Sequence, residues 1–331
     1  MRGSRIIGTG SYLPSRIVGN EEVSRSLALD AAAIERRTGI KARRRAADED
    51  AASDLAERAA RTACEAAGVS PDSLDAILVS TTSPDMTFPS TACLIQARLQ
   101  ARRAAAFDVA ASCSGFLYGL SMANALIASG QARRCLVAAA EIKSRFIDPT
   151  DEATAILFGD GAGAAVVEGC EMAGPAAPGI LGVRLHADGS RYSMIGMAAG
   201  GSRNPASAKT VQAREHAIRI QGVPLYRVAV KRLAEAVTGT LKEFGVGVRD
   251  LGRVVFHQAN GRLLATVLER LQIPPEKMYA VLDRFGNASS ASLPIALDYA
   301  VREGHVSRGD LVLLGAFGGG LTWGTALVRW G

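Results

Sequence analysis

Aromatic residues make up only 5% of the 331-residue chain, and its two tryptophans, Trp323 and Trp330, lie near the C-terminus. A reader of single-stranded nucleic acid needs rings on which bases stack, so the formal charge of +6 does not by itself point to that class. The basic residues are also dispersed among acids, apart from Lys41-Ala42-Arg43-Arg44-Arg45, and a mild excess of this kind suits an acidic protein partner. Cysteine is sparse as well: Cys64, Cys93, Cys113, Cys135 and Cys170 are an odd set with no CxxC pair. A disulfide framework and a zinc site are therefore excluded as organising principles, and all five should be free thiols. Charge is missing from two stretches, Val109 to Ala132 and Leu311 to Val328, each long enough to span a bilayer. The first carries Ser112, Ser114, Ser121, Asn124, Ser129 and Gln131, and Gly318-Gly319-Gly320 interrupts the second, so both are expected to be buried core. The first residues, MRGSRIIGTGSYLP, contain no apolar secretory core, which gives the expectation of a cytoplasmic protein.

What the chain does have is small and apolar: 48% hydrophobic residues and 35 glycines, a composition suited to close packing of helices on sheets. Its pattern also occurs twice. Residues 54–83 predict an amphipathic helix, a loop with Asp72 and Asp75, and a buried strand; residues 225–260 predict the same sequence of elements, ending in a strand Arg253 to Phe256. Downstream, Phe107-Asp108-Val109 leads into a turn with Cys113, a helix and a strand near Cys135-Leu136-Val137. Leu282-Asp283-Arg284 likewise leads into a turn with Asn287, a helix and a strand Leu311 to Leu314. Two βαβ-rich copies imply a pseudo-twofold α/β molecule with parallel strands and crossover helices. Cys113 and Asn287, and Ser80-Thr81 and His257, should then sit at equivalent strand ends, where ligands bind in such sheets. The Gly/Pro/Ala-rich run at 169–180 is the best linker, separating halves 1–172 and 173–331. Residues 20–45 are extra to the repeat and are expected beside the site's mouth.

Four groups of residues could carry chemistry. Cys113, in Ala110-Ala111-Ser112-Cys113-Ser114-Gly115-Phe116, stands where a strand becomes a helix, and exposed N–H groups at a helix start favour thiolate. A cysteine among apolar residues is nevertheless more often inert core, the role expected of the other four. His257, ending the strand Val254-Val255-Phe256, is either a proton carrier or a satisfied structural histidine, whereas His186, His216 and His305 read as turn or surface residues. Asn287, in Gly286-Asn287-Ala288-Ser289-Ser290-Ala291-Ser292, is a helix cap, a site residue or both. Gly159-Asp160-Gly161-Ala162-Gly163 lacks the lysine of a phosphate loop and is expected to be a tight turn between buried strands. Gly318-Gly319-Gly320 is either a packed bend or a source of backbone N–H groups for an oxyanion.

In this order and spacing the segments resemble the β-ketoacyl-acyl carrier protein synthase III family over essentially the whole chain. The resemblance is carried by Ile6-Ile7-Gly8-Thr9-Gly10-Ser11-Tyr12-Leu13-Pro14, Arg37-Thr38-Gly39-Ile40, the Cys113 segment, Leu157-Phe158-Gly159-Asp160-Gly161-Ala162-Gly163-Ala164, His257-Gln258-Ala259-Asn260, Gly286-Asn287 and Ala316-Phe317-Gly318-Gly319-Gly320-Leu321-Thr322-Trp323-Gly324. It implies a thiolase-like fold, two pseudo-twofold βαβαβ-type halves in an αβαβα stack, and a homodimeric acyltransferase of fatty acid biosynthesis that uses no cofactor. It also implies that Cys113 takes an acyl group as a thioester while His257 and Asn287 hold a malonyl thioester carbonyl as carbon dioxide leaves. Backbone N–H groups of Cys113 and Gly319 would form a second oxyanion site. Phe88 would reach across the dimer to shape the acyl pocket. Arg227, Arg262 and Arg270 would dock acyl carrier protein, with Glu269 departing from the basic pattern, and Arg37 and Asn260 would line the pantetheine or coenzyme A entrance. Two positions that members of this family use to clamp adenine are here Ala33 and Glu152, so the resemblance leaves open whether the acyl donor is bound to coenzyme A or to a carrier protein. Alternatives within the resemblance are an acyltransferase or ketosynthase of specialised, polyketide-type metabolism and, outside enzymology, a scaffold that keeps only the fold.

Overall fold

The computed structural model describes residues 2–171, 174 and 177–331. Two sheets organise it. The first has the strand order Arg2–Tyr12, Asp160–Glu171, Arg134–Ile142, Ala76–Ser80, Ala105–Val109. The second has the order Gly179–Ala187, Thr322–Arg329, Leu311–Gly318, Leu251–Phe256. The matching order is the repeat seen in the sequence, one copy per sheet. The boundary expected at 172/173 lies outside the described residues.

Two expectations need correction. The sheets are mixed: Ala76–Ser80 runs parallel to its two neighbours and Leu251–Phe256 runs parallel to Leu311–Gly318, but the remaining pairs are antiparallel. The second sheet also lacks a fifth strand, because residues Leu282–Phe285 form a helical turn where Ala105–Val109 is a strand. Gln258 holds the start of that turn: its buried side-chain oxygen accepts from the N–H groups of Val281 (3.1 Å) and Leu282 (3.2 Å). Only one bridge, Val254 to Met278, remains of the fifth position.

Alternation along the strands sorts the core into layers. Leu78 and Val137 of the first sheet and Val255 and Leu314 of the second face inward on the helices Gly115–Ala128 and Ser292–Arg302, through Phe116, Leu120, Leu293 and Leu297. Ile77, Val79 and Leu136 face outward onto the helix Ala52–Ala66. Val254, Phe256 and Leu313 do the same against Gly222–Glu243 and Gly261–Leu271. Period-two burial on both faces thus gives an αβαβα stack. Small residues make it tight: a Cβ on Gly10 would come within 2.4 Å of the Ala59 carbonyl oxygen. Gly159 to Gly163 is not the expected turn but a lead into the strand Asp160–Glu171, and a Cβ at Gly163 would meet the nitrogen of Ile295 at 2.7 Å. Those glycines let a central helix lie on the sheet.

The two uncharged stretches are core, as expected. Val109–Ala132 contains the helix Gly115–Ala128, and Leu311–Val328 forms two paired strands. Among the described residues no helix is long and apolar enough to cross a membrane.

Candidate active site

Cys113 follows the strand Ala105–Val109 through a turn in which Ser112 adopts a left-handed φ of 49°. A 3-10 turn, Ser112–Ser114, then feeds the helix Gly115–Ala128. The second half repeats this device with Ser289 at φ 51°, the turn Ser289–Ala291 and the helix Ser292–Arg302. The positional equivalent of Cys113 is therefore Ser290, with Asn287 three residues earlier, rather than Asn287 itself. Both turns aim their residues at the space between the sheets.

Cys113 is buried, yet it lines two adjoining cavities, which also share Phe158, Ile195 and Gly319. The first, about 830 Å³, is walled by Arg37, Asn260, Arg262, Tyr226, Arg227, Leu263, His257, Asn287, Phe317 and Gly319. The second, about 670 Å³, is walled by Thr82, Met86, Lys143, Phe146, Phe158, Ile195, Ile218, His216 and Ser289. The strand Leu311–Gly318 closes in so far that a Cβ on Gly318 would lie 2.6 Å from the Cys113 nitrogen, and the next residue, Gly319, lines both cavities with Cys113.

His257 ends the strand Leu251–Phe256, held by its N–H on the Gly315 carbonyl (2.7 Å). Its Nδ1 is 2.6 Å from Ser292 Oγ. That hydroxyl donates its proton to the Ser289 carbonyl (2.9 Å), so it accepts from Nδ1–H. The neutral ring consequently carries its lone pair on Nε2. Asn287 is not the cap of the following helix. Its side-chain oxygen accepts from Ser289 N–H (2.8 Å) and its amide donates to the Ala259 carbonyl (3.4 Å), leaving its second N–H for the cavity it lines.

Burial pushes the Cys113 thiol up, but the His257 imidazole, the Ser289 hydroxyl 3.4 Å from the sulfur and the Lys143 ammonium pull it from 9.0 down to about 7. Elsewhere burial wins: Cys64 rises to about 11 against the pull of Arg134 and Arg61, and Cys135 rises to about 12. Cys93, expected in the core, is exposed instead. Position alone does not make a cysteine here reactive; the surrounding donors do.

At the mouth, Arg227 and Arg262 are exposed and line the first cavity, while Arg270 lies further along the helix Gly261–Leu271 and does not. Asn260 caps that helix, accepting from the N–H groups of Arg262 (2.9 Å) and Leu263 (3.3 Å), and its amide holds the Arg37 carbonyl (3.2 Å). Its polar atoms thus join the helix to the 20–45 excursion, which stands at the mouth as expected. Arg37 pairs with Glu152 at 3.4 Å, and both side chains are substantially exposed. Phe88 lines neither cavity; its ring is 84% exposed, beside the cavity residues Met86 and Thr87.

The residues not singled out from sequence are Ser112, Ser289, Ser292, Lys143 and His216. His216, expected on the surface, is half-buried on the wall of the second cavity, with Nε2 2.9 Å from Thr210 Oγ1. The serine-rich run 289–292 was the visible signal for two of them, and a lone lysine ending the apolar strand Arg134–Ile142 was the signal for Lys143. Among the described residues no cluster of three His, Cys, Asp or Glu side chains could hold a metal ion.

Comparison with known proteins agrees with this arrangement. The family profile described as 3-oxoacyl-[acyl-carrier-protein (ACP)] synthase III matches residues 107–189, and its C-terminal counterpart matches residues 241–330. A β-ketoacyl-[acyl-carrier-protein] synthase III of Methylococcus capsulatus is 45% identical over 329 residues, covering 99% of both chains. The crystal structure of 3-oxoacyl-[acyl-carrier-protein] synthase III from Aquifex aeolicus superposes with a TM-score of 0.89 at 41% identity, covering 99% of this chain and 100% of that one. A priming β-ketosynthase from the R1128 polyketide biosynthetic pathway superposes at 0.90 with 35% identity, over 99% and 96% of the two chains. With its thiolase-like stack and these full-length relatives, the chain belongs to the β-ketoacyl-acyl carrier protein synthase III family.

Proposed function

We propose that this protein joins a Cys113-bound acyl group to malonyl-acyl carrier protein by decarboxylative Claisen condensation. The observation that carries the proposal is a thiol brought to about 7 that lines two adjoining cavities, with His257 and Asn287 lining the first of them. His257 Nε2 accepts the thiol proton, and the thiolate attacks the acyl donor's thioester carbonyl. The donor's C–S bond breaks and its thiolate leaves, taking a proton from solvent, while His257 keeps the Nε2–H it gained and returns it to Cys113 when that thiolate is expelled at the end. A malonyl thioester then loses carbon dioxide, and the electrons of the broken C–C bond go to the carbonyl oxygen, stabilised by His257 and the free N–H of Asn287. The enolate carbon attacks the Cys113 thioester. The resulting oxyanion is held by the N–H groups of Cys113 and Gly319 and collapses to a β-ketoacyl thioester, expelling the thiolate. The substrates supply their own activation, so the reaction calls for no cofactor.

The first cavity is the channel for the pantetheine arm, with Arg227 and Arg262 at its mouth to steer an acidic carrier protein. An exposed pair such as Arg37–Glu152 adds little stability, but Glu152 cancels the cation that a coenzyme A phosphate would meet. The preferred acyl donor is therefore carrier-bound. Phe88, an apolar ring on the surface beside the second cavity, supports a homodimer contact at that point. The enzyme acts in the cytoplasm.

The test is to offer acyl groups on coenzyme A and on acyl carrier protein in competition and to follow the mass of Cys113, then to add malonyl-acyl carrier protein and follow carbon dioxide. Loading of Cys113 followed by carbon dioxide release is expected, with the carrier-bound donor preferred. Loading without carbon dioxide would reduce the activity to acyl transfer, and unchanged loading in Cys113→Ala would refute the proposal.

A further inference from the structure

The second cavity is lined by the apolar side chains of Met86, Phe146, Phe158, Ile195, Met197 and Ile218 and by neutral hydroxyls such as Ser112 and Ser289, and a lysine is set among them. The Lys143 side chain is 5% exposed, and its ammonium is 3.0 Å from Glu141 Oε2 and donates to the Thr82 hydroxyl. Glu141 has no accessible surface and is fully engaged. It also accepts from Ser83 Oγ (2.6 Å), Ser290 Oγ (2.7 Å) and Thr82 N–H (3.2 Å). Burial alone would push its carboxyl up, but Lys143 and the serine hydroxyls hold it below the usual range. An ammonium has three N–H donors, and these contacts use two.

Burying an ion pair seldom adds stability, since apolar residues of the same volume serve as well or better. A buried lysine on the wall of a substrate-sized cavity is thus better explained by something it binds. Its charge is already balanced by Glu141. A second carboxylate would leave the buried group with net negative charge, whereas a neutral oxygen needs only the remaining N–H. We infer that Lys143 is a specificity-determining residue, selecting acyl groups that carry a neutral hydrogen-bond-accepting oxygen, a ketone or hydroxyl, on the chain beyond the thioester. This inference rests on the proposed loading of Cys113.

The test is the rate at which Cys113 is acylated by N-acetylcysteamine thioesters, read by intact mass, with four- to six-carbon groups in three forms. These are unsubstituted, oxo- or hydroxy-substituted at C3 or the penultimate carbon, and ω-carboxylate. An oxygenated neutral group should load about tenfold or more faster than its unsubstituted counterpart, the range expected when a charged donor otherwise left unpaired is satisfied. Lys143→Met should abolish that ratio. Because this change strands Glu141, the double variant Glu141→Gln/Lys143→Met, which removes both charges together, provides the same comparison if the single one does not fold. A role for Lys143 confined to the acidity of Cys113 would slow all donors by one factor and leave the ratio unchanged, overturning the inference. So would preference for the ω-carboxylate, or no preference in the parent protein. Loading without discrimination refutes this inference alone; failure of every donor to load refutes the proposed function.

Discussion

Removing the His257 imidazole from beside Cys113 isolates what makes this cysteine a nucleophile. A thiol brought from 9.0 to about 7 is half thiolate at pH 7. At its ordinary value it would be about 1% thiolate, a difference worth about 3 kcal/mol at two pKa units. Thiolate nucleophilicity falls as the pKa falls, which returns a factor of about 8 over that range, so the net gain in alkylation rate at pH 7 is only about sixfold. The position of the inflection is the cleaner readout. Iodoacetamide alkylation followed by peptide mass mapping should show Cys113 reactivity rising through about pH 7 and flat above pH 8. Cys64 and Cys135, pushed up to about 11 and 12, should stay unmodified throughout. In His257→Ala the opposing burial remains while the largest downward influence is gone, so the inflection should move above pH 9. Acyl loading at neutral pH should slow with it. A parent inflection near pH 9, or one that His257→Ala leaves in place, would refute the account of how the thiol is activated.

Other expectations follow from single contacts. Asn287→Ala should keep acyl loading but lower carbon dioxide release from malonyl-acyl carrier protein by about 10²–10³, the usual cost of one oxyanion donor, and an equal loss of loading would contradict its role. Ser292→Ala removes the acceptor of His257 Nδ1–H (2.6 Å), so decarboxylation should fall by about tenfold or more while Ser292→Thr recovers part of it; unchanged rates would show that the ring needs no such anchor. Gly318→Ala puts a methyl 2.6 Å from the Cys113 nitrogen and should abolish loading with a lowered melting temperature, measured by differential scanning calorimetry. Phe88→Asp should halve the mass seen by light scattering if the exposed ring is the dimer contact.

Much of this was legible along the chain because it is local. Short unbroken apolar runs marked the strands Ala76–Ser80 and Leu251–Phe256, 3.6-residue periodicity marked the helices before them, and recurrence of both announced two similar halves. Cys113, His257 and Asn287 stood out because each lies where a buried element meets small residues. The sequence could not show which of five thiols is acidic, since that depends first on His257 and then on Ser289, both far along the chain from Cys113. Nor could it place Ser292, 35 residues from His257, as the acceptor that sets the imidazole tautomer. The fifth strand missing from the second sheet was equally invisible, because the helical turn that follows is held by a glutamine side chain more than twenty residues earlier in the chain. Hydrophobic pattern, in short, determines which face of an element is buried, by a rule that acts over a few residues. Which polar groups then meet is decided by register and by the pseudo-twofold packing of two sheets. Only that packing brings Lys143, spaced like any residue ending a strand, against Glu141 on the wall beside the thiol.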